Sequence, residues 1–519
     1  MKEQTKNKQL IINLLAGLLS CVIGIGINMI VLPRLIKKFD FEIAAYIIIA
    51  NDLANFVAIL AMALNSMAGR FITIRLHQKD LKAANEYFNS ILFANLAIIA
   101  ALILPLLLLV FNIGPILDVE PALLQDVQLV FFFTLLNFML TILTTTFSTS
   151  TFASNRIDLQ SLRTIESTIV KALALFLLFT FLPIKAYYKA LAEVIPTLYM
   201  LVAYLYYTKK LLPDIHLSPK HFKMSRILDV LSAGIWNTIM RAGQYLTNSL
   251  DTMIAKALID TNTSGYIGAS KTIAIAINML YDSVSAIFSP SLTITYATGN
   301  KEELVSSLRS SMKLSGFFAN IPLCFMIGFG LSFYKVWLPT SNASAQSTIY
   351  ILTILTMIGT IVGGSISPLF NVFTIVNKVK WNSIAVLIMG FLSIGIVFFG
   401  FKDSPYLMYA IVSVSSILGI IKNITFTPMY AAHCLGLKKT AFHPTIFRYM
   451  LVSILMGAIF IGLGQIIPAT NWPLILMSIL FCGIIGCILN FFLLFEKKEQ
   501  DIFVEFTKSA ITKLTGKDT

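Results

Sequence analysis

A run of polar and charged residues with helical spacing interrupts an apolar part of the sequence. Residues 234–251 read GIWNTIMRAGQYLTNSLD, and five members of this run are separated by 4, 3, 4 and 3 positions: Asn237, Arg241, Gln244, Asn248 and Asp251. At about 100° per residue they fall within an arc of roughly 80° on a helix. An arginine offers a charged fork of donors for an anion, and amides offer donors and acceptors for hydroxyl groups. The spacing therefore predicts one polar stripe on an otherwise apolar helix.

The composition places this stripe in a membrane protein. The 519 residues are 57% hydrophobic and only 12% charged, and the mean hydropathy is +0.81, whereas soluble proteins carry about a quarter charged residues. Apolar runs of about 18 residues or more recur along the chain, and each can cross a bilayer. The first of them, Ile11 to Leu32, is longer than the apolar part of a signal peptide, so we expect it to be a membrane span.

The pattern predicts an all-α membrane protein with fourteen transmembrane helices. Of the 39 Lys and Arg residues, 24 fall in the tails and alternate loops, and the opposite loops hold 6. By the positive-inside rule, both termini are expected in the cytoplasm. The predicted spans are 11–32, 42–66, 87–111, 125–150, 164–183, 187–208, 228–258, 265–290, 307–332, 345–370, 381–401, 406–430, 445–468 and 473–495.

An internal repeat suggests how these spans are grouped. The stretch ITIRLHQKDLKAANEYFNS from Ile72 resembles LTITYATGNKEELVSSLRSS from Leu292, an offset of about 220 residues. Six spans per unit give both units the same orientation, which is a parallel repeat. Any two apolar halves look alike to some degree, but here the loops match as well as the spans. We therefore predict two six-helix lobes around a central cavity and an appended C-terminal pair. The predicted segments are lobe 1–208, basic linker 209–227, lobe 228–430, two helices in 431–495 and a cytoplasmic tail 496–519.

Other spans carry polar residues that belong to the same predicted cavity. Span 265–290 repeats the 3/4 spacing with Lys271, Asn278, Asp282 and Ser285, and the first two spans contribute Asn28, Asn51, Asp52 and Asn55. A charge at the bilayer centre costs about 2.5–3.5 kcal/mol on insertion scales, so it should face a cavity or a partner. The stripe at 237–251 either lines a lumen or joins helices through polar contacts.

Several other charges in the predicted spans have simpler interpretations. Lys189 and Glu193 are four residues apart and can pair along one helix. Lys313 and Arg448 lie near span ends, where long side chains reach the headgroups, whereas Lys422 lies deeper. Gly363 and Gly364 indicate either a hinge or close helix packing.

Enzymatic chemistry finds no support in the residue pattern. All five histidines fall in predicted cytoplasmic loops, the five cysteines lack metal-ligand spacing, and no Walker A motif is present. The predicted outward loops have about a dozen residues or fewer, which disfavours a membrane enzyme acting on extracellular glycans. The net charge of +14 is explained by loop asymmetry rather than by nucleic-acid binding. We therefore expect a protein that is not an enzyme, without cofactor or metal.

At family level the sequence resembles the Wzx-type polysaccharide flippases of the MOP superfamily, relatives of the MATE drug exporters and of the lipid II flippase. The resemblance rests on LPRLIKKFDFEIAAY, on AGIWNTIMRAGQYLTNSLDTMIAKAL with SGYIGASK, and on IFSPSLTITYATGNKEEL, FYKVWLP, SPLFNVFTIVNKVK and FTPMYAAHCLG. These stretches cover about residues 10–495, and their order is more specific than any one of them.

This resemblance implies a flippase that moves undecaprenyl-diphosphate-linked oligosaccharide from the inner to the outer leaflet of the bacterial cell membrane by alternating access, for export of surface polysaccharide. It implies a cationic, amide-rich cavity, to which Arg241, Lys256, Lys271 and the polar residues of the first lobe correspond. Asp251, Asp282, Asp52 and Glu193 are expected either to neutralise cations or to bind a coupling H⁺ or Na⁺. The implied partners are the polyprenyl-diphosphate-linked glycan, membrane lipid and polysaccharide assembly enzymes.

Three other functions compete with this one. A MATE-like cation-coupled multidrug exporter predicts twelve helices and a cavity richer in acids and aromatics than in bases. A polysaccharide polymerase predicts larger outward loops. A scaffold that recruits glycosyltransferases is compatible with the flippase, with the basic stretch 209–226 as the contact.

Overall fold

The computed structural model describes residues 2–500, apart from 155, 298, 339–342 and 498. It describes the backbone alone for residues 2–22, for Asn28 and Asn248, and for several other positions, most of them within 283–297. Within these ranges the chain is helical and contains no β-strand. The helices are α1 (Lys2–His77), α2 (Leu81–Phe111), α3 (Ile113–Leu117), α4 (Leu124–Ala153), α5 (Ile157–Phe181), α6 (Tyr188–Leu211), α7 (Met224–Asn248), α8 (Leu250–Leu258), α9 (Thr261–Ala297), α10 (Lys301–Trp337), α11 (Ala343–Met357), α12 (Thr360–Ile375), α13 (Lys380–Phe401), α14 (Leu407–Ile424), α15 (Phe426–Cys434), α16 (His443–Ile466) and α17 (Trp472–Leu493).

The predicted all-α, multi-pass membrane class is confirmed. Eleven helical stretches among the described residues are long and apolar enough to cross a membrane, and in lipid a helix satisfies its own backbone hydrogen bonds. The predicted spans 11–32, 228–258 and 265–290 are not among the eleven. Those three hold many of the polar residues of the predicted cavity, and the count of fourteen spans stays a prediction.

The predicted break between the first two spans is wrong. Residues 33–41 were expected to form an outward loop, but α1 runs through them without interruption, even past Pro33. Leu35, Ile36 and Phe41 are buried there at 0%, 4% and 1% exposure. Apolar contacts therefore favour a continuous helix over the turn that the charged residues suggested.

Three predicted spans are each divided into two helices. The span at 228–258 is interrupted at Ser249, between α7 and α8, and the span at 345–370 is interrupted before Gly359, between α11 and α12. The span at 406–430 is interrupted at Thr425, between α14 and α15. Gly363 and Gly364, for which a hinge and close packing were the two alternatives, lie inside α12. A Cβ at Gly364 would press against the Ala319 side chain and the Tyr449 ring, so this glycine serves close packing.

The chain divides into two compact units. The first comprises residues 1–269 and 379–411, and the second comprises 270–378 and 412–519. In the first unit α1 packs against α2, α4, α5 and α7, and α13 packs against α7; in the second, α10 packs against α11, α12, α16 and α17. The predicted lobes 1–208 and 228–430 divide the chain elsewhere and stay a prediction.

The two repeat-related loops have the same local geometry. Lys79 and Gly299 both have a positive φ, of 60° and 77°. Asp80 then caps α2 by accepting a hydrogen bond from the Ala83 amide at 3.0 Å, and Asn300 caps α10 by accepting one from Glu303 at 3.1 Å. Such caps satisfy amides that the first helical turn leaves free. Positions 79 and 80 correspond to 299 and 300 at the offset of 220 residues seen in the sequence.

The basic linker is fixed to the first turns of α2. Asn85 and Asn89 each bind linker backbone through both amide atoms, at 2.8–2.9 Å, to residues 214, 216 and 218. Glu86, whose side chain is 4% exposed, forms ion pairs with Lys223 at 2.6 Å and Arg226 at 2.9 Å. These contacts make the linker a structural strap across α2 rather than a free tether.

The C-terminal helices are anchored to α10. Asn320 and Asn490 exchange amide hydrogen bonds of 2.8 and 2.9 Å and are both fully buried. Lys313, 4% exposed, forms 2.8 Å ion pairs with Glu496 and Glu499. Lys313 therefore has acidic partners within the chain, and the expected reach to the headgroups is wrong for it.

Arg448 likewise has a partner within the chain. Its Nε donates to the Leu493 carbonyl at 2.7 Å, which places a cation at the negatively polarised C-terminus of α17.

Acidification should loosen the segment 496–500. The hydrogen bond and charge of Lys313 hold the pKa of Glu496 below its usual range. A carboxylate with a lowered folded pKa stabilises the fold above its unfolded pKa, about 4.3, and that contribution is lost as the pH falls through the folded pKa. Amide-exchange protection of residues 496–500 should fall between pH 7 and about 3.5. Lys313→Met should remove the protection already at pH 7; constant protection in the unaltered chain would contradict the anchor.

Candidate substrate-binding face

Four of the five residues of the predicted polar stripe lie on α7, which packs closely on α1, whereas Asp251 lies beyond the interruption at Ser249, on α8. Gly234 meets the backbone of Ala63, and a Cβ at this glycine would overlap the Ala63 carbonyl. Eleven residues further along α7, the Tyr245 ring lies 5.2 Å from the Phe56 ring of α1. Position 234 thus pairs with 63 and position 245 with 56, so the two helices run antiparallel.

α13 covers a different side of α7. Gly243 meets the backbone at 386–387, and Gly390 meets Leu246. Asn382 of α13 donates to the Met240 sulfur at 3.7 Å. α7 is therefore held between two helices through small residues, which fixes its rotation about its own axis.

Helical rotation places two sets of polar residues on one side of the α1–α7 pair. On α7, Gly234 and Tyr245 mark the side that faces α1, and Asn237, Arg241 and Gln244 are all rotated from that side in the same direction about the helix axis. On α1, Ala63 and Phe56 mark the side that faces α7, and Asn51 and Asn55 are rotated from it in the same sense. Because the helices are antiparallel, the two rotations bring both sets of polar residues to the same side of the pair. The name α1–α7 polar face is used below for these five residues: Asn51, Asn55, Asn237, Arg241 and Gln244.

Arg241 is the charged group of this face. It lies 17 residues into α7, about 26 Å along the helix from Met224, and its side chain is exposed. Among the residues that the structure describes, Arg241 has no hydrogen-bond or ion-pair partner. An unpaired arginine at this depth is a binding-site candidate, because it needs water, lipid phosphate or a ligand to offset its charge.

The amides of the face are largely available as well. Asn55 is exposed, and Asn237 and Gln244 are half-buried; no hydrogen bond joins them to other described residues. Asn51 is exposed and donates to the Ile47 carbonyl of its own helix at 2.7 Å, which leaves its side-chain oxygen open. The face therefore presents amide donors and acceptors on both sides of one arginine. The side chains of Asn28 and Asn248 lie outside the described residues.

Lys256, Asp52 and Asp251 lie outside the α1–α7 polar face and have other surroundings in the first unit. The Lys256 ammonium bonds the Thr261 hydroxyl and lies 5.6 Å from the centre of the Tyr46 ring. Asp52 accepts a hydrogen bond from the Thr252 hydroxyl at 2.5 Å. Asp251 is 5% exposed in the first turn of α8, where the helix N-terminus favours a carboxylate. Lys256 and Asp52 thus make contacts within the fold, and Asp251 lies at a helix N-terminus.

The second unit holds the remaining predicted residues. Asn278 accepts a hydrogen bond from Tyr281 at 2.7 Å, and Asp282, which is exposed, accepts one from Ser367 at 3.0 Å. Lys271 is half-buried. Lys422 is 9% exposed, and its ammonium lies 5.2 Å from the centre of the Phe370 ring. Lys422 joins the candidate binding groups, because it has no acidic partner among the described residues.

Glu193 belongs to an ion pair that the sequence did not indicate. It binds Lys171 of α5 at 2.5 Å, and the predicted pairing with Lys189 of its own helix is replaced by this contact between helices. Two turns earlier on α5, Arg163 binds Tyr207 at 2.9 Å, Tyr199 at 2.7 Å and the Glu166 carboxylate. Arg163 was placed in a loop from the sequence. Its i,i+3 spacing to Glu166 was the available signal that it is helical.

Metal binding has no support in the described part of the chain. No three His, Cys, Asp or Glu residues there lie close enough together to hold an ion.

Replacing Gly234 by alanine should destabilise the contact between α1 and α7. The added Cβ would overlap the Ala63 carbonyl, so α7 would have to move and the unfolding temperature of the purified protein should fall by several degrees. Gly395→Ala on α13 is the matched control, because nothing lies within 4 Å of its Cβ position and alanine favours a helix by about 1 kcal/mol over glycine. Equal unfolding temperatures for the two variants would refute the close contact.

A double-mutant cycle should show that Lys171 and Glu193 stabilise each other. Lys171→Met or Glu193→Gln leaves one charge without its partner and should lower the unfolding temperature, whereas the double variant should recover most of the loss. If the two single effects simply add, the pair is not energetically coupled, and Glu193 returns to the set of ion-coupling candidates.

Comparisons with known proteins agree with this architecture. No family model matches the sequence. The "Uncharacterized membrane protein EpsK" of Bacillus subtilis (strain 168) is 24% identical over 494 residues, which cover 95% of this chain and 97% of the relative.

Two solved structures show where the fold recurs. The lipid II flippase MurJ in an inward closed conformation is 15% identical, with a TM-score of 0.58, covering 92% of this chain and 98% of the other. An outward-facing multidrug resistance MATE family transporter of the MOP superfamily is 11% identical, with a TM-score of 0.58, covering 82% and 98%. The chain therefore has the fold shared by MATE transporters of the MOP superfamily and the lipid II flippase.

Proposed function

We propose that this protein is a flippase that moves a polyprenyl-diphosphate-linked oligosaccharide from the inner to the outer leaflet of the bacterial cell membrane. Both termini would lie in the cytoplasm. The observation that carries the proposal is Arg241. This arginine is exposed, has no partner among the described residues and lies 17 residues into α7. The protein that holds it has the fold of transporters and of a flippase.

Arg241 suits a diphosphate better than it suits a drug cation. A guanidinium binds phosphate oxygens through two parallel N–H donors, and such charge-assisted bonds strengthen where water is scarce. A cationic drug would instead be repelled by Arg241. Lys422, buried and without an acidic partner in the described residues, adds a second base that favours an anionic substrate.

The amides around Arg241 suit the sugar part of the substrate. A glycan presents many hydroxyl groups, each a donor and an acceptor, and an amide side chain can serve both roles. Asn55, Asn237 and Gln244 have such groups open on the α1–α7 polar face, beside the proposed diphosphate site.

The acidic residues have a different proposed role. Asp282, in the second unit, is exposed and accepts a hydrogen bond from Ser367. It is the carboxylate that we propose for binding a coupling H⁺ or Na⁺. Asp52, which bonds Thr252, and Glu193, which is paired with Lys171, are proposed to balance charge. Asp251 at the start of α8 is proposed to do the same.

A MATE-like drug exporter is the second candidate, since the fold is shared. It is favoured by the exposed Asp282 and disfavoured by Arg241 and Lys422. Polysaccharide assembly enzymes are proposed as partners of the basic linker 209–227, in line with the scaffold role that the sequence left open.

Arg241→Ala should abolish export of surface polysaccharide, with lipid-linked repeat units accumulating in the inner leaflet while the protein level stays normal. Arg241→Lys keeps the charge but loses the bidentate geometry, so export should fall at least about tenfold. Arg75→Ala removes an arginine from α1 that is rotated away from the α1–α7 polar face and should leave export unchanged.

The readouts are surface polysaccharide and extracted lipid-linked glycan in the same cells. Full export by Arg241→Ala would exclude the proposed site. A loss of drug efflux without any change in polysaccharide would favour the exporter.

A further inference from the structure

The second unit contains a cavity of about 360 Å³ at the ends of three apolar spans. α10 begins at Lys301, the span containing α12 ends at Ile375, and the span containing α15 ends at Cys434. The cavity is therefore at the boundary between hydrocarbon and water, where lipid headgroups lie. Its lining consists of Tyr296, Lys301, Leu304, Val305, Lys378, His433, Cys434, Leu435, Gly436 and Leu437.

The polar lining of this cavity is basic. Lys301, Lys378 and His433 line it together with the Tyr296 side chain, and none of the described carboxylates is part of the lining. Among the described residues, neither lysine has an acidic partner. The Lys301 ammonium lies next to Gly436, 3.6 Å from the position that a Cβ would occupy there.

Two tight turns hold these groups in place. Asn377 and Gly436 have positive φ angles of 55° and 66°. They follow α12 and α15, whose last turns are closed by backbone hydrogen bonds from Lys378 to Phe373 at 2.8 Å and from Leu437 to Ala432 at 2.9 Å. Tyr430 of α15 joins that helix to the turn after α12 by donating a hydrogen bond to the Lys378 carbonyl at 3.0 Å. The basic groups are thus carried on a rigid frame.

Helix dipoles do not account for all of these bases. Lys378 and His433 lie at or just beyond helix C-termini, where cations are favourable in any protein. Lys301 is the first residue of α10, where the helix dipole disfavours a cation. Glu302 and Glu303 lie in the same turn, but neither forms an ion pair with Lys301 in the described part of the chain, so a bound anion would still lower that cost.

A neighbouring cavity lacks this excess of positive charge. It is lined by Lys301, Arg309 and Lys313, but also by three glutamates: Glu302, Glu496 and Glu499. Lys313 is already paired with two of them at 2.8 Å. Basic side chains without an acidic partner among the described residues are therefore concentrated at the cavity that is lined by Lys378 and His433.

We propose that this cavity binds the phosphate group of an anionic membrane lipid. Lys301 and Lys378 supply charge, and Tyr296 and His433 supply hydrogen-bond donors. Leu304, Val305, Leu435 and Leu437 form the apolar part of the wall, which a free anion would not use and an acyl chain would. Basic pockets between membrane helices commonly hold lipid headgroups in this way. The cavity shares no residue with the α1–α7 polar face, and the proposal does not depend on which substrate is transported.

The test is lipid binding by the purified full-length protein, followed by thermal unfolding and native mass spectrometry. Phosphatidylglycerol is compared with neutral phosphatidylcholine, and inorganic phosphate is tested alone. The Lys301→Gln/Lys378→Gln variant should lose at least about tenfold in phosphatidylglycerol affinity. Lys438→Gln/Lys439→Gln removes the same charge from adjacent exposed positions outside the lining and should bind normally. Lys301→Arg/Lys378→Arg should also retain binding, which separates charge loss from misfolding.

Equal losses in the two Gln pairs, or no preference for phosphatidylglycerol over phosphatidylcholine, would overturn the proposal. Stabilisation by inorganic phosphate alone to the full extent of the lipid would identify a free anion as the ligand and would overturn the lipid assignment.

Discussion

The cost of an unpaired charge in hydrocarbon is the constraint on which this structure depends. Within the described part of the chain, several ionisable groups in or near the apolar spans are matched by others from distant parts of the sequence. Lys171 meets Glu193 across two helices, Glu86 meets Lys223 and Arg226, and Lys313 meets Glu496 and Glu499. Glu86 and Lys313 are themselves buried, and their partners offset the cost of removing these two charges from water. These matched charges belong to the fold, whereas the described residues offer no such partner to Arg241 or to Lys422.

The packing around α7 explains how Arg241 can be held in a defined position without a partner of its own. Gly234 and Gly243 let α1 and α13 approach α7 on two sides, which fixes the rotation of the helix. A ligand that binds Arg241 would then meet a site that is already oriented, and little binding energy would be lost in ordering it. The linker on α2 restrains the start of the same helix through Arg226, which lies two residues after Met224.

Local patterns in the sequence predicted the features that depend on neighbouring residues. The 3/4 spacing of Asn237, Arg241 and Gln244 correctly indicated one face of a helix. The offset of 220 residues led to two loops that share a positive φ and a capping side chain at Asp80 and Asn300.

Features that depend on distant residues could not be derived in this way. The sequence favoured Lys189 as the partner of Glu193, but the structure uses Lys171, because the packing of α5 against α6 decides which charges meet. Lys256 seemed equivalent to Arg241 as a cavity base, yet it turns to Tyr46 and Thr261. The continuity of α1 was missed because the charges at 34–38 resemble a loop, whereas the burial of Leu35 and Ile36 requires the tertiary contacts.

Water accessibility along α7 tests the central claim most directly. In a background without native cysteines, Gln244→Cys places a thiol on the α1–α7 polar face, and Ile235→Cys places one on the opposite flank, where the side chain is also uncovered by protein. A membrane-impermeant maleimide should label position 244 in membranes, a polyprenyl diphosphate should protect it, and position 235 should stay unlabelled in lipid. Equal labelling of both positions, or labelling of 244 that the lipid diphosphate leaves unchanged, would contradict a substrate-binding role for this face.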